Sequence, residues 1–181
     1  MLVLVDRDGV LNEDRPDFVK TPEELVFIPG SLEAVARLNS HGYKVVIVTN
    51  QSCIGRGLIN EERLAEIHGK LHAGLSAVGG HVDYIFVAPD APWAATEMRK
   101  PGAGMVRAAL EKFRVRANDA VLIGDTAGDM KAAKTAGCRR ILVRTGKGAA
   151  TQAAGLDRDL LPVRVAANLS EAVRFILDEK A

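Results

Sequence analysis

The sequence predicts an α/β protein in which a parallel central sheet lies between two layers of helices, forming a three-layer α/β/α sandwich. Three observations support this fold class. Short apolar runs rich in β-branched residues recur at long intervals, segments with helical periodicity separate them, and the runs are continuously apolar rather than alternating. Strands that are buried on both faces and alternate with helices are typical of a parallel sheet. We expect residues 1–181 to form one domain.

The predicted strands are the apolar runs themselves. They are LVLV (2–5), KVVIV (44–48), YIFV (84–87), AVLI (120–123) and RILV (140–143). Their length and their content of valine, isoleucine and aromatic residues favour strands over helices.

The intervening helices are predicted from their periodicity and from the residues at their ends. The first covers 31–40 and is followed by Gly42, which is placed to terminate it. The second has Asn60 as its N-cap and should run to about residue 78. The others are expected at 102–113, 127–136 and 169–180, with a loop and a short helix within 146–155.

The composition excludes several classes of protein. Lysine and arginine total 24 and aspartate and glutamate total 23, which gives a net charge of +1. A charge so close to zero does not indicate a broad basic surface that would bind nucleic acid or a membrane. No apolar run approaches the length of a signal peptide or a membrane span. Cys53 and Cys138 form no CxxC pair, and a reducing compartment fits. We therefore expect a cytoplasmic protein.

Polar side chains follow three of the predicted strands. The carboxyl ends of parallel strands share one edge of a sheet, where ligands bind in open α/β folds, so these side chains should converge. They are Asp6, Asp8, Thr49, Asn50, Asp125 and Asp129. Four carboxylates in one crevice would repel one another unless a cation neutralised them, and hard oxygen ligands suit Mg²⁺. The sequence therefore predicts a magnesium site that also receives a phosphoryl group.

The order of the motifs along the chain resembles the haloacid dehalogenase (HAD) superfamily. Within it, the chain is similar to the D-glycero-D-manno-heptose-1,7-bisphosphate 7-phosphatases and the related histidinol-phosphate phosphatases. The stretches that carry this resemblance are DRDGVLN, TNQSCIGRG, RKPGAGM, GDTAGDMKAAKTAG and VRTGKG. It implies a HAD-like Rossmannoid fold and a phosphomonoester hydrolase in lipopolysaccharide precursor synthesis. Histidinol phosphate or another small sugar phosphate is the alternative substrate.

The resemblance also implies roles for the residues of the crevice. Asp6 would be the nucleophile that forms an aspartyl-phosphate, and Asp8 the general acid and base. The Thr49 hydroxyl and the Asn50 backbone N–H would hold non-transferring phosphoryl oxygens, and Lys100 would balance charge on the transferred group. Magnesium would be bound by Asp6, Asp125 and the Asp8 backbone carbonyl. The expected role of Asp129 is to steady Lys100 or a metal-bound water.

Substrate recognition is assigned to three loops around the crevice. The intervals between the motifs are too short for a large cap domain, so loops at 12–20, 52–57 and 88–99 should border an open site. The candidate substrate-binding residues are Asp14, Arg15, Asp17, Asn50, Gln51, Arg56 and Arg99. Arg56 and Arg99 could each grip a second phosphate, or could be solvated loop charges.

The chain departs from the family pattern in the segment before RKP. Relatives usually carry a zinc loop of cysteines and a histidine there, whereas this chain has APDAPWAATEM. With no thiolate or imidazole ligand in it, we expect no structural zinc. Thr126 also stands where many relatives have lysine.

Other residues and functions admit less specific interpretations. His68 and His72 lack the glutamate of an HExxH motif and are interpreted as surface or packing residues. Trp93 is interpreted as an anchor of a small satellite core, with a lid over the sugar as the alternative. A receiver-like phospho-acceptor domain is the non-enzyme alternative, which the order of the aspartates and Thr49 disfavours. We expect a small sugar phosphate as ligand and a monomeric protein.

Overall fold

The computed structural model describes residues 1–179 and is built around a six-stranded sheet in which every pairing is parallel. The strand order is β3-β2-β1-β4-β5-β6. The strands are β1 (Leu2–Val5), β2 (Lys44–Asn50), β3 (Tyr84–Ala88), β4 (Ala120–Gly124), β5 (Arg139–Val143) and β6 (Arg164–Ala166). The predicted fold class is confirmed.

Within the described part of the chain, seven α-helices connect and cover these strands. They are α1 (Ser31–Ser40), α2 (Ser52–Gly55), α3 (Glu61–Ala77), α4 (Gly104–Phe113), α5 (Ala127–Thr135), α6 (Gly148–Ala154) and α7 (Leu169–Asp178). Single turns of 3₁₀-helix lie at Pro92–Ala94, Ala117–Asp119 and Arg158–Leu160. None of the helices within residues 1–179 is both long and apolar enough to cross a membrane.

Two hydrophobic cores lie on opposite faces of the sheet. Successive side chains of a strand point to opposite faces, so in β1 Val3 and Val5 join one core while Leu2 and Leu4 join the other. Helices α1, α3 and α7 pack on the first face, and α4 and α5 on the second. This double burial explains why the strands are continuously apolar in sequence.

The helix boundaries agree with the predicted signals with small differences. The Asn60 side chain accepts a hydrogen bond from the Arg63 amide at 2.9 Å, as an N-cap should, and Gly42 follows α1 with φ +74°. Helix α4 begins at Gly104 rather than 102, because a turn precedes it in which the Gly102 amide donates to the Arg99 carbonyl. The predicted end of the last helix, at residue 180, lies outside the described residues.

Candidate active site

The site lies where the order of the strands reverses, between β1 and β4. Val5 pairs with Ile47 on one side and Ile123 on the other, so Asp6 and Asp125 both lie at the carboxyl ends of neighbouring strands, one residue apart in register. The Asp6 amide donates to the Ile123 carbonyl at 3.0 Å and fixes this register. Ligand crevices of open α/β sheets form at this kind of reversal.

A cavity of about 470 Å³ opens at this point. Nine of its lining residues were predicted from the sequence as site residues: Asp6, Asp8, Asp14, Arg15, Asn50, Gln51, Arg99, Lys100 and Asp125. The other lining residues are Pro16, Phe18, Val19, Ser52, Thr126 and Lys147. Thr49, Asp17, Arg56 and Asp129 do not line it.

Lys100 lies at the base of this cavity between two carboxylates. Its ammonium is 2.8 Å from Asp6 Oδ2 and 2.6 Å from Asp129 Oδ1, and only 4% of its side chain is exposed. Burial alone would lower the pKa of Lys100, but Asp129 and Asp6 outweigh it and raise that pKa above its usual value. Lys100 is therefore held in its charged form beside the predicted nucleophile.

The carboxylates of this cluster are crowded. Asp6, Asp125 and Asp129 each place an oxygen within 4.8 Å of the others. Burial, with Asp129 and Asp125, raises the pKa of Asp6 to about 8 although Lys100 opposes the shift. Burial also raises the pKa of Asp125 to about 6, against a hydrogen bond from the Lys147 amide. The ionised forms of these acids are short of positive charge.

Magnesium fits this donor set. When all are ionised, the three carboxylates and one ammonium carry a net charge of −2, which a divalent cation balances. The donors are all hard oxygens, as Mg²⁺ prefers. Gly9 and Gly146 leave room for the Asp125 carboxylate, since a Cβ on either glycine would lie within 2.3 Å of Asp125 Oδ2. Asp6 and Asp125 are the side chains placed to bind the ion, because both line the cavity and Asp129 does not.

The second carboxylate oxygen of Asp129 is hydrogen-bonded to Thr126. Its Oδ2 accepts hydrogen bonds from the Thr126 amide and hydroxyl, and the Thr126 hydroxyl accepts in turn from the Asp129 amide. This capping box starts α5 and orients Asp129 toward Lys100. Asp129 thus contacts Lys100, while its predicted role of steadying Lys100 or a metal-bound water stays a prediction, and Thr126 both caps α5 and lines the cavity.

Asp8 is surrounded by donors. Its oxygens accept from Arg7 Nη2 at 2.9 and 3.0 Å, from Asn12 Nδ2 at 2.8 Å and from Gln51 Nε2 at 2.7 Å. Burial alone would raise the pKa of Asp8, but the Arg7 charge and these hydrogen bonds hold the pKa below its usual value. Without substrate, Asp8 is therefore a fixed carboxylate.

The side chains of Asn50 and Thr49 have hydrogen-bond partners within the protein. The Asn50 side chain donates to the Lys100 carbonyl at 2.9 Å and accepts from the Lys100 amide at 3.0 Å, so it holds the lysine backbone. The Thr49 hydroxyl is buried and accepts from Gln51 Nε2 at 2.8 Å. Contact of the Thr49 hydroxyl and of the Asn50 backbone N–H with a phosphoryl group stays a prediction.

The acidic and basic residues of the 12–20 loop are largely paired. Asp14 faces the cavity and lies 3.2 Å from the Lys147 ammonium. The Arg15 guanidinium lies 3.2 Å from Asp17 and 3.4 Å from Glu24, which anchors it at the cavity wall. Asp17 does not line the cavity and pairs with the Lys20 ammonium at 2.7 Å.

Arg99 and Arg56 approach the cavity mouth from neighbouring loops. Arg99 lines the cavity and donates to the Asp90 carbonyl at 2.9 Å. Burial and the nearby positive charge of Arg56 lower the pKa of Arg99. Arg56 itself lies over two rings, 5.6 Å from the centre of Phe18 and 4.8 Å from that of Trp93. These contacts join all three predicted loops.

The interpretation of Trp93 as a core anchor is wrong. Its side chain is 72% exposed, and its contact is with Arg56 rather than with a cluster of apolar side chains. Nor does it line the cavity as a lid would. The segment that carries it is closed instead by Asp90, whose Oδ2 accepts from the Thr96 amide and hydroxyl.

Two functional candidates were missed from the sequence. Lys147 follows β5 in the stretch VRTGKG, and the rule that site residues follow parallel strands could have identified it. Arg7 lies between the two predicted catalytic aspartates and is fully buried. A charged residue at an inward position of a strand end is a signal of a buried partner.

Three comparisons place the chain among known proteins. A family model described as HAD-hydrolase-like matches residues 97–172. The D-glycero-β-D-manno-heptose-1,7-bisphosphate 7-phosphatase of Bordetella bronchiseptica is 44% identical over 154 residues, which cover 85% of this chain and 86% of that protein. The D-glycero-D-manno-heptose-1,7-bisphosphate 7-phosphatase of Thermosynechococcus vestitus is 34% identical, covering 96% and 94%.

The solved structures agree with the sequence relatives. The crystal structure of D,D-heptose 1,7-bisphosphate phosphatase from B. bronchiseptica, complexed with magnesium and phosphate, superposes with a TM-score of 0.94 at 41% identity, covering 98% of both chains. Identity at this level over nearly the full chain shows more than a shared fold. The chain is therefore an enzyme of the HAD-like phosphatases and belongs to the family of the heptose-1,7-bisphosphate 7-phosphatases.

Proposed function

We propose that this phosphatase uses Mg²⁺ and an aspartyl-phosphate on Asp6 to remove the 7-phosphate of D-glycero-D-manno-heptose 1,7-bisphosphate. The observation that carries the proposal is the cluster of Asp6, Asp125, Asp129 and Lys100 at the strand reversal, with its unbalanced negative charge. Relatives named for this reaction, and a close structure complexed with magnesium and phosphate, support the choice of substrate and ion.

The first half of the reaction forms a bond between Asp6 and phosphorus. Asp6 attacks as the phosphorus–oxygen bond to the sugar breaks, and Asp8 gives its proton to the departing sugar oxygen. The approach of a phosphate dianion raises the pKa of Asp8 and lets it take up that proton as substrate binds. Lys100, 2.8 Å from Asp6, balances charge on the transferred group.

The second half returns the enzyme to its starting state. Asp8, now a carboxylate, takes a proton from water as that water attacks the phosphorus. The bond from phosphorus to Asp6 breaks, and inorganic phosphate leaves. Magnesium bound by Asp6, Asp125 and the Asp8 carbonyl would supply positive charge to the phosphoryl oxygens throughout.

The cavity mouth supports a substrate with a second phosphate. Arg99 and Lys147 line the cavity from opposite loops, while Asp14 and Arg15 offer partners for sugar hydroxyls. No separate cap domain is present within residues 1–179, so these loops would provide the recognition. A guanidinium can donate two parallel hydrogen bonds to a phosphate, so Arg99 is better suited than Lys147 to bind the remote phosphate.

A phosphate-release panel tests the proposal. It compares both anomers of the heptose bisphosphate, histidinol phosphate, other sugar phosphates and 4-nitrophenyl phosphate with wild-type enzyme in Mg²⁺. We expect the highest kcat/KM for a heptose bisphosphate and no turnover by Asp6→Asn, whose amide fills the same space without attacking phosphorus. A preference for histidinol phosphate would refute the proposed substrate. An active Asp6→Asn variant would refute the aspartyl-phosphate mechanism.

A further inference from the structure

Arg7 connects the predicted proton donor to helix α3. None of its side chain is exposed, and its guanidinium contacts Asp8 through Nε at 3.3 Å and through Nη2 at 2.9 and 3.0 Å. The same Nη2 donates to Gln51 Oε1 at 3.0 Å, and Nη1 lies 3.4 Å from His68 Nε2. All three guanidinium nitrogens therefore have a partner, which fixes the plane of the group.

The partners of Arg7 are themselves held in place. Gln51 bridges the pair, since its Oε1 accepts from Arg7 while its Nε2 donates to Asp8 at 2.7 Å. Burial, followed by the positive charge of Arg7, lowers the pKa of His68 to about 4. His68 is thus neutral near pH 7 and offers Nε2 as an acceptor when its proton is on Nδ1.

Charge neutralisation alone does not require this arrangement. A single contact between Arg7 and Asp8 would balance both charges, but it would leave the carboxylate free to turn. Here Asn12 and Gln51 hold one oxygen each while Arg7 contacts both, and His68 holds the far side of Arg7. These contacts therefore fix the orientation of the Asp8 carboxyl group.

We propose that Arg7 and His68 are positioning residues that hold the Asp8 carboxyl group at the side of the phosphorus where the leaving oxygen departs. The inference rests on the proposed function, in which Asp8 gives that oxygen its proton. Neither residue lines the cavity, so both act through Asp8 rather than on the substrate.

The nature of the leaving group separates this role from a merely structural one. A sugar alkoxide needs a proton as it departs, whereas 4-nitrophenolate is stable without one. Misplacement of Asp8 should therefore lower kcat for a sugar phosphate far more than for 4-nitrophenyl phosphate. Loss of folded protein would lower both rates by the same factor.

The test uses paired variants of two histidines on the same helix. His68→Leu removes the acceptor, His68→Gln keeps one at a similar distance, and His72→Leu is the control on an exposed position one turn further on. Each is assayed with 4-nitrophenyl phosphate and with the best sugar phosphate of the panel. Asp8→Ala supplies the reference for complete loss of the proton donor, about 100-fold or more on the sugar phosphate.

We expect His68→Leu to lower kcat on the sugar phosphate roughly ten-fold and on 4-nitrophenyl phosphate less than about two-fold, with KM little changed. His68→Gln should recover most of the loss, and His72→Leu should match wild type. Arg7→Met should approach Asp8→Ala; if it fails to fold, the His68 pair decides. Equal losses on both substrates, or no loss in His68→Leu, would overturn the inference. A wild type that turns over neither substrate would refute the proposed function itself.

Discussion

Replacement of Lys100 by methionine should destabilise the protein most when no divalent cation is present. The ammonium lies 2.8 Å from Asp6 and 2.6 Å from Asp129, with 4% of the lysine side chain exposed. Methionine fills a similar volume but leaves these buried carboxylates without their cation. Removal of one partner from a buried ion pair costs about 3–5 kcal/mol. For a chain of this length that corresponds to a fall in Tm of roughly 6–20 °C, at about 2–4 °C per kcal/mol.

The measurement is thermal unfolding of metal-free protein at pH 8, repeated with saturating Mg²⁺. We expect Mg²⁺ to restore part of the lost Tm in Lys100→Met, because the ion supplies charge to the same carboxylates, while phosphatase activity stays low. Lys134→Met is the control, since Lys134 also lies 2.8 Å from a carboxylate, that of Asp159, but on the surface. Its loss should cost at most about 1 kcal/mol. A Lys100→Met protein as stable as wild type without metal would refute this reasoning.

The remaining predictions concern the metal, the remote phosphate and the segment before Arg99. The pKa of Asp6 is raised from 3.8 to about 8, so metal-free protein should lose stability as the pH rises between these values, and Mg²⁺ should raise Tm more at pH 8 than at pH 5. An equal rise at both would contradict this. Arg99→Ala should lower kcat/KM about 10- to 100-fold for a bisphosphate, because one charge-assisted contact is lost, and far less for 4-nitrophenyl phosphate. Equal losses on both substrates would place Arg99 at the reaction centre. Elemental analysis should find no stoichiometric zinc, and bound zinc whose removal lowers Tm would contradict this expectation. Asp90→Ala should increase proteolysis within residues 88–98.

The fold was predictable because the strands are buried on both faces. Each predicted run became a strand, and β2 is longer than predicted because Thr49 and Asn50 continue its pairing with β3. The strand β6, Arg164–Ala166, was missed since three residues beginning with an exposed arginine at the sheet edge form no apolar run. Helix α2, Ser52–Gly55, is too short to show a period.

The site was predictable only where it follows from the sheet. Asp6 and Asp125 come together because parallel strands bring their carboxyl ends to one edge. His68 belongs to a helix, and its interpretation as a surface or packing residue overlooked its contact with Arg7, which lies 61 residues earlier. Helical periodicity reports which face is buried but not which polar group meets it there. Such contacts depend on how the helix packs across the sheet.

The exposed tryptophan, which contacts the cavity only through Arg56 and Phe18, gives the enzyme an intrinsic fluorescent reporter. Trp93 is the single tryptophan of the chain, and it lies 4.8 Å from the Arg56 guanidinium, which also faces the ring of the cavity residue Phe18. Indole emission responds to nearby charge and to solvent, so a ligand that draws Arg56 away would change it without any label. Binding would then be measurable by fluorescence separately from phosphate release, and could be followed in a variant that hydrolyses nothing.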